Sequence, residues 1–547
     1  LAQASGKSRA SPRPTPPPRS RLLAGRRVAM AKNIRVVGSC CFAAIGSLLF
    51  GLDMGYIGPI LEDAEFKRDV VHLVDWDEPD AEVPGTTSGV IVSAFALGCM
   101  ASAFPLVSSF FVEVLGRRAP LATGGVVFLL GCAIQAAAGG VPVMVTGRFV
   151  SGCSIGILST VVPLYQSELA PPQFRGTLTS LSQVMICFGV SVASFADQVL
   201  LPLRGGWRFA VLLPVLPGLV LLLGMPFLPE SPRWLVSRGR AREALAVLGS
   251  VRIEGAAEAE LREIVADRDA AQASGRGGWR ELRSGRVSRL LAVGIGLQLM
   301  QQLTGINAFV AYGPRIFRSL GLSAAHLQTA LSLALFFGTL PATCLIERFG
   351  RRGLLASGAV GMLVASVLMA VLGTIFTTDD VGGRLVISSN MAGVVIVVCI
   401  FLFVFSFAYS WGPTTWVYCA EIFPMKVRGE CVGLTTMAEW SGVFLVNQFT
   451  PMLLSAIGFQ SFFVFGAFGA VAVALALWLP ETKGVPLEHM DQVFAAKFGA
   501  ARTEVKGCNA SARELGRQPH KPQLPGDGED SSESASPGGV ESQGADV

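Results

Sequence analysis

Four uncharged amides fall close together in one apolar run: Gln298, Gln301, Gln302 and Asn307, in the stretch Gln298-Leu-Met-Gln-Gln-Leu-Thr-Gly-Ile-Asn307. The run extends from Leu290 to about Tyr312 and is long enough to cross a bilayer. An amide in lipid needs a hydrogen-bond partner. On a regular helix Gln298, Gln301 and Gln302 share one face, by i, i+3, i+4 spacing. Asn307 would point away, but Thr304-Gly305 lies between, and a glycine is where a membrane helix can unwind. An amide donates and accepts hydrogen bonds, as a hydroxyl does, so a row of them suits a neutral polyhydroxyl solute. The competing reading is adhesion between helices through amide pairs.

A second candidate is a pair of opposite charges. Asp53 lies deep in the first apolar run and Arg148 deep in the fourth. Each would cost roughly 2.5–3.5 kcal/mol alone near the bilayer centre, so pairing across neighbouring helices explains both. The pair is either a static tie or a group that takes and releases a proton.

The elements that must position these residues are membrane helices. The chain has 547 residues, 51% hydrophobic and only 15% charged, which describes a polytopic membrane protein and excludes a soluble enzyme. Twelve apolar spans are expected near 34–58, 86–108, 119–138, 141–164, 176–197, 208–228, 290–313, 325–346, 353–375, 389–418, 430–452 and 458–479. The organisation is then a basic Pro/Arg-rich tail at 1–33, a six-helix bundle at 34–228, an intracellular helical linker at 229–289, a second six-helix bundle at 290–484 and a polar, disordered tail at 485–547. The first tail lacks acids, and it reads as a disordered leader, a transit peptide, or an extension ahead of a start at Met30. Basic residues cluster on one side of the spans, which places both tails and the linker in the cytosol. Arg315 and Arg318, after the seventh span, run against that trend. The eleven cysteines lie almost wholly in or beside apolar spans, with no pair in a long polar loop, so no disulfide framework is expected. No phosphate-binding loop and no cluster of metal ligands appears, so neither ATP drive nor a metal is expected.

The two halves repeat. Gly116-Arg117-Arg118 matches Gly350-Arg351-Arg352, and Tyr165…Glu168 with Arg175 matches Tyr418…Glu421 with Arg428 at the same Glu-to-Arg spacing. Pro229-Glu230 matches Pro480-Glu481. Parallel six-helix repeats carry their solute near the midplane between halves. The repeated charges, Arg117, Arg118, Glu168, Arg175, Glu230, Arg351, Arg352, Glu421, Arg428 and Glu481, are expected to pair at the cytosolic ends and hold the halves closed there as a gate.

These motifs resemble the sugar porters of the major facilitator superfamily. Carrying the resemblance are Gly46-Ser-Leu-Leu-Phe-Gly-Leu-Asp53, Gly147-Arg-Phe-Val-Ser-Gly152, Pro163-Leu-Tyr-Gln-Ser-Glu168, Pro229-Glu-Ser-Pro-Arg-Trp234, Gln301-Gln-Leu-Thr-Gly-Ile-Asn307 and Pro480-Glu-Thr-Lys-Gly484, within about 34–490. The tenth span, with Trp411-Gly-Pro413 and Trp416, is closest to the proton-coupled monosaccharide symporters of plants, fungi and algae. The resemblance implies an all-α membrane protein of twelve transmembrane helices, and no enzyme. It implies sugar contacts at Gln183, Gln301, Gln302 and Asn307, with Gln298 one turn earlier, and at Trp416, whose ring would pack on a pyranose face. It assigns proton coupling to Asp53 and Arg148. Two positions depart from the family pattern: Leu335 stands where an Asn is usual, and Glu439 stands where the family has Asn before Trp440. Glu439 is expected in the substrate site, as an acceptor for hydroxyls, a proton site or a change of substrate.

The expected function is transport of a monosaccharide, a hexose such as glucose, by alternating access with proton symport. A facilitative hexose uniporter, a porter of an inositol-like polyol and a non-transporting sugar sensor remain alternatives. The expected partners are the sugar and the lipid bilayer, with no nucleic acid and a monomeric functional unit. No cofactor is expected beyond the proton as coupling ion. The expected location is the plasma membrane, with an organellar envelope as the alternative.

Overall fold

The computed structural model describes residues 34–483 except 77, 79–80, 172–174, 253–255, 274–278, 322, 380–384, 388 and 424–426, together with Phe494. The two tails expected at 1–33 and 485–547 lie, Phe494 apart, outside the described residues.

Helices stand at all twelve expected places. The first six are α1 (Ile34–Glu62), α2 (Gly85–Ala103), α3 (Arg118–Ala136), α4 (Val141–Leu169), α5 (Arg175–Leu200) and α6 (Gly206–Phe227). Three shorter helices follow: α7 (Pro232–Ser237), α8 (Ala241–Val251) and α9 (Ala256–Ala273). The second set is α10 (Gly285–Leu303), α11 (Ile306–Ser319), α12 (Ala324–Thr339), α13 (Ala342–Phe349), α14 (Arg351–Phe376), α15 (Asn390–Ile422), α16 (Arg428–Ile457) and α17 (Ser461–Trp478). Among the described residues nine runs are long and apolar enough to cross a membrane by themselves, and α16 and α17 share one of them. The remaining two crossings are interrupted. α12 and α13 form one span bent by 42° where Pro341 removes a backbone donor. α10 and α11 form one span broken at Thr304-Gly305. A two-stranded antiparallel hairpin, β1 (Thr377–Asp379) with β2 (Leu385–Ile387), follows α14.

Lipid offers no hydrophobic drive between apolar helices, so close packing through small residues holds them together. The α2–α4 crossing shows this. A Cβ on Gly152 would lie 2.1 Å from the Phe95 carbonyl oxygen, and one on Gly98 would lie 2.1 Å from that of Phe149. This contact sets Arg148, one turn from Gly152, against α2. The linker helices pack by their amphipathic faces. Leu235, Val236, Ala244, Leu248, Ala257 and Ile264 make a small core of their own. Arg252 pairs with Glu260 at 2.5 Å and donates to the Leu169 carbonyl at 2.8 Å, which ties the linker to the end of α4.

Arg315 and Arg318 find their partners at the helix ends opposite the linker. Arg318 meets Glu62, at the end of α1, at 2.6 Å, and Arg315 pairs with Glu82. Both pairs join the second half to the acidic segment of the first. Lys67 adds a second cation 3.8 Å from Glu62, and burial pulls its ammonium below the usual lysine range while Glu62 pushes it back up. Deeper in, Ser93 donates to Gln448 at 2.8 Å and Ser191 donates to the Ser332 carbonyl at 2.8 Å, again across the halves. The outer ends are therefore latched.

Gly152→Val is expected to destroy the α2–α4 contact, because the added side chain would clash with the Phe95 backbone, which cannot give way as a flexible side chain would. The detergent-solubilised protein should lose its monodisperse peak in size-exclusion chromatography, with a cost of about 3 kcal/mol or more.

Candidate functional site

The break in the seventh span decides the geometry of the amides. Gly305 adopts φ 104°, a left-handed conformation open to glycine, and begins α11. The turn swings Asn307 back toward the amides of α10, as a regular helix could not. Asn307 Nδ2 donates to Gln302 Oε1 at 2.6 Å, and Gln302 Nε2 donates to Glu439 Oε1 of α16 at 3.3 Å. Gln301 Nε2 donates to the carbonyls of Trp411 and Gly412 in α15, at 3.0 and 3.1 Å. Gln298, Gln301, Gln302, Asn307 and Glu439 are all buried. Gln183 of α5 approaches from the first half: its Nε2 is 3.6 Å from where a Cβ on Gly412 would stand. Gly412 is thus flanked by Gln183 and Gln301. Trp416 is half-buried on α15, one turn beyond Gly412. Leu335 lines a small cleft with Val190, Val310, Gln328, Ser332 and Val404, where an aliphatic side chain offers no hydrogen bond.

The ion pair forms as expected, within a network larger than two residues. Arg148 meets Asp53 at 2.5 Å, and neither side chain is exposed to any extent. Tyr56, one turn after Asp53, donates to Asp53 Oδ1 at 2.6 Å and stands 3.1 Å from Gln135 Oε1. Gln135 Nε2 donates to Ser151 Oγ at 3.2 Å. The Phe95 ring covers the guanidinium, with its centroid 4.9 Å from the central carbon. Phe95 in turn packs edge-on against Trp440 at 5.8 Å, and Trp440 follows Glu439. Packed rings therefore lead from the ion pair in the first half to Trp440, the chain neighbour of Glu439, in the second.

Tyr56, Gln135, Ser151 and Phe95 escaped the sequence reading, as did Gln328, Asn447 and Trp440 as partners. Tyr56 carried a usable signal, since i+3 spacing puts it on the face of Asp53. Gln135, Gln328 and Asn447 carried the signal that exposed the others, a lone amide in an apolar span, without the clustering that singled those out.

The repeated charges require a correction. They were expected to join the two halves at the cytosolic ends. Among the described residues they pair within each half instead. Arg117 makes a two-pronged contact with Glu168, at 2.9 and 2.7 Å, and Arg351 meets Glu421 at 2.7 Å. Glu230 accepts from the backbone N–H groups of Arg117 and Arg118, at 3.0 and 3.3 Å, and Glu481 accepts from those of Arg351 and Arg352, at 2.9 and 3.0 Å. The reason is local. A carboxylate at the start of α3 or α14 satisfies donors that have no partner in the helix and meets the positive end of its dipole. The Arg118 and Arg352 side chains donate to backbone carbonyls of their own halves, to Pro226 and Leu477, both at 2.6 Å. The Arg175 and Arg428 side chains lie outside the described residues.

Twelve helices in two repeats, amides facing a carboxylate across the second half and a fully buried ion pair in the first define a membrane carrier. The family model "Sugar (and other) transporter" matches residues 39–494, and the chain belongs to that family, the sugar porters of the major facilitator superfamily. It is 32% identical over 466 residues to the glucose transporter GlcP of Staphylococcus epidermidis, an alignment covering 84% of this chain and 97% of GlcP. It is 32% identical over 492 residues to the sugar transport protein MST7 of Oryza sativa subsp. japonica, covering 86% and 93% of the two chains. Among solved structures it resembles the proton:xylose symporter XylE bound to 6-bromo-6-deoxy-D-glucose, with a TM-score of 0.70, 25% identity and coverage of 84% and 99%. The protein is thus an integral, multi-pass membrane transporter of the sugar class, and not an enzyme.

Removing one member of the buried pair leaves the other uncompensated. Arg148→Ala is expected to cost about 3–5 kcal/mol, while the double change Asp53→Ala with Arg148→Ala costs clearly less. Thermal unfolding of the purified protein in detergent checks the order, which a pair of independent surface charges would not produce.

Proposed function

We propose that this protein imports a monosaccharide, a hexose such as glucose, together with a proton. The observation that carries the proposal is the Asp53–Arg148 pair: a carboxylate with no exposure, held by one guanidinium and one phenol. A carboxylate shut away from water is costly as an anion, so its protonation and its hold on Arg148 exclude one another. With the outer side open, Asp53 takes a proton and releases Arg148. Sugar binding among Gln183, Gln298, Gln301, Gln302, Asn307, Trp416 and Glu439 then favours closure of the outer latch. Facing the cytosol, Asp53 loses its proton and Arg148 recaptures it. The Phe95–Trp440 contact gives this exchange a physical route to Glu439 and the amides. The charge clusters from Arg117 to Glu230 and from Arg351 to Glu481 keep each half rigid, so that movement concentrates between halves. The similarity to a glucose transporter and to a proton:xylose symporter supports the same reading. The functional unit is one chain, placed in the plasma membrane.

The driving force is sufficient. A potential of 100 mV contributes about 2.3 kcal/mol per unit charge. One pH unit adds about 1.4 kcal/mol, and together they support roughly a few hundredfold accumulation. A uniporter can only equalise concentrations.

Labelled glucose uptake in a host lacking hexose transport, with and without a protonophore, is the direct test. Wild-type uptake should run uphill and collapse with the gradient. Asp53→Asn is expected to abolish accumulation while sparing sugar exchange, and accumulation that survives the change would remove Asp53 from coupling. Gln302→Ala should raise the half-saturating sugar concentration about tenfold or more at unchanged protein level, since it removes the amide that links Asn307 to Glu439. An unchanged uptake curve would take Gln302 out of the site.

A further inference from the structure

The hydrogen bonds of the amide cluster leave a surplus of one kind of atom. Gln301 turns its N–H group toward two backbone carbonyls, which fixes its orientation, and its Oε1 is buried without a partner. Gln328 spends its N–H group on the Val310 carbonyl at 3.0 Å, and its Oε1 is likewise unpaired. Gln302 faces a carboxylate with its N–H group, so its oxygen must take the Asn307 donor. The Gln298 Oε1 has no partner among the described residues, nor has Glu439 Oε2. The unpaired side-chain atoms of Gln298, Gln301, Gln328 and Glu439 are therefore all acceptors, and one is a carboxylate oxygen.

Among the described residues no ion pair reaches that carboxylate, and its hydrogen bond comes from the Gln302 amide, whose oxygen holds Asn307. Arg148 stands behind Phe95 and is engaged with Asp53. Asn447, two turns along α16, adds an unpaired oxygen and an unpaired N–H group, and the Trp440 indole N–H and the Thr414 and Thr436 hydroxyls are also buried without a partner. Beside a neutral sugar Glu439 must stay buried either as an uncompensated anion or in its protonated form, whereas a cationic solute would stabilise the anion directly. A sugar carrying an ammonium group brings one positive charge to Glu439 and three donors to the unpaired oxygens of the amides.

We infer that the solute site is built for a protonated amino sugar, with Glu439 as its counter-ion and specificity determinant. This rests on the transport reading above and narrows its substrate class. The charge on the solute also supplies one unit of the membrane-potential drive by itself.

The test uses the full-length chain at about pH 6.5, where an amine of this type is protonated. Glucose, glucosamine and N-acetylglucosamine are compared as competitors of labelled sugar uptake and as thermal stabilisers of the purified protein. Glucosamine is expected to act at concentrations about tenfold lower than glucose, and N-acetylglucosamine, whose nitrogen is neutral, to lose that advantage. Glu439→Gln should bring glucosamine down to the level of glucose, and Glu439→Asn provides the same readout if the first variant does not fold. Glucosamine no better than glucose in the wild type, or an advantage that persists in either variant, overturns the inference while leaving hexose transport intact. Binding of glucosamine without glucose uptake supports the inference and removes the hexose assignment. Failure of all three sugars to bind overturns both.

Discussion

One buried guanidinium constrains the architecture of the first half. Arg148 is costly in the membrane interior unless its donors are met, and the surroundings meet those on Nη1 and Nε, while Nη2 has no partner among the described residues. Asp53 supplies the charge, and the Ile91 carbonyl lies 3.4 Å from Nε. Phe95 supplies a ring face. Each comes from a helix that must approach α4 closely, which is why glycines occupy the crossings: Gly98 and Gly152 between α2 and α4, and Gly147 against Gln135 of α3. The small residues and the ion pair are one design. The close approach makes the pair possible, and the pair makes a polar interior tolerable in lipid.

The second half solves the opposite problem. Apart from Glu439, the polar groups around its broken span are neutral amides, which can be buried without charge pairing but not without partners. Gln301, Gln302, Asn307 and Gln328 give their N–H groups to partners, and the oxygens of Gln298, Gln301 and Gln328 are left over. That asymmetry follows from the break at Gly305, which places Asn307 on Gln302, and from α15, whose carbonyls at Trp411 and Gly412 absorb the donors of Gln301. Such an arrangement leaves acceptors unmatched, and Leu335, which lines a cleft with Gln328, offers them no hydrogen bond.

The fold was readable from sequence because membrane length and apolarity are properties of single segments. The break in the seventh span was readable for the same reason: three amides, a glycine and a fourth amide within one helix state their own geometry. Asp53 and Arg148 were legible as a pair because a lone charge in lipid has no acceptable alternative. Tyr56, Gln135 and Phe95 were not legible, because their roles depend on which helices cross and at what height, and single-segment patterns do not encode that. The repeated charges failed differently. Their spacing announced pairing, but the choice of partner, within a half or between halves, is a matter of helix-end geometry. Glu230 and Glu481 are committed to backbone donors at the starts of α3 and α14.

That last distinction bears on how the molecule moves. Had the cytosolic charges joined the halves, opening inward would require breaking several two-pronged contacts together. With Arg117–Glu168 and Arg351–Glu421 closed within their own halves, the cytosolic ends can separate without losing them. Two ion pairs that do cross between halves, Arg315–Glu82 and Arg318–Glu62, lie at the helix ends opposite the linker. These are partly exposed pairs, each contributing little by itself. A two-state carrier needs only that much, since a bias of a few kcal/mol already sets which face is open. The two arginines that disobey the charge rule of membrane topology therefore sit where a weak, reversible latch is useful, and the strong interactions are kept for the rigid bodies on either side of it.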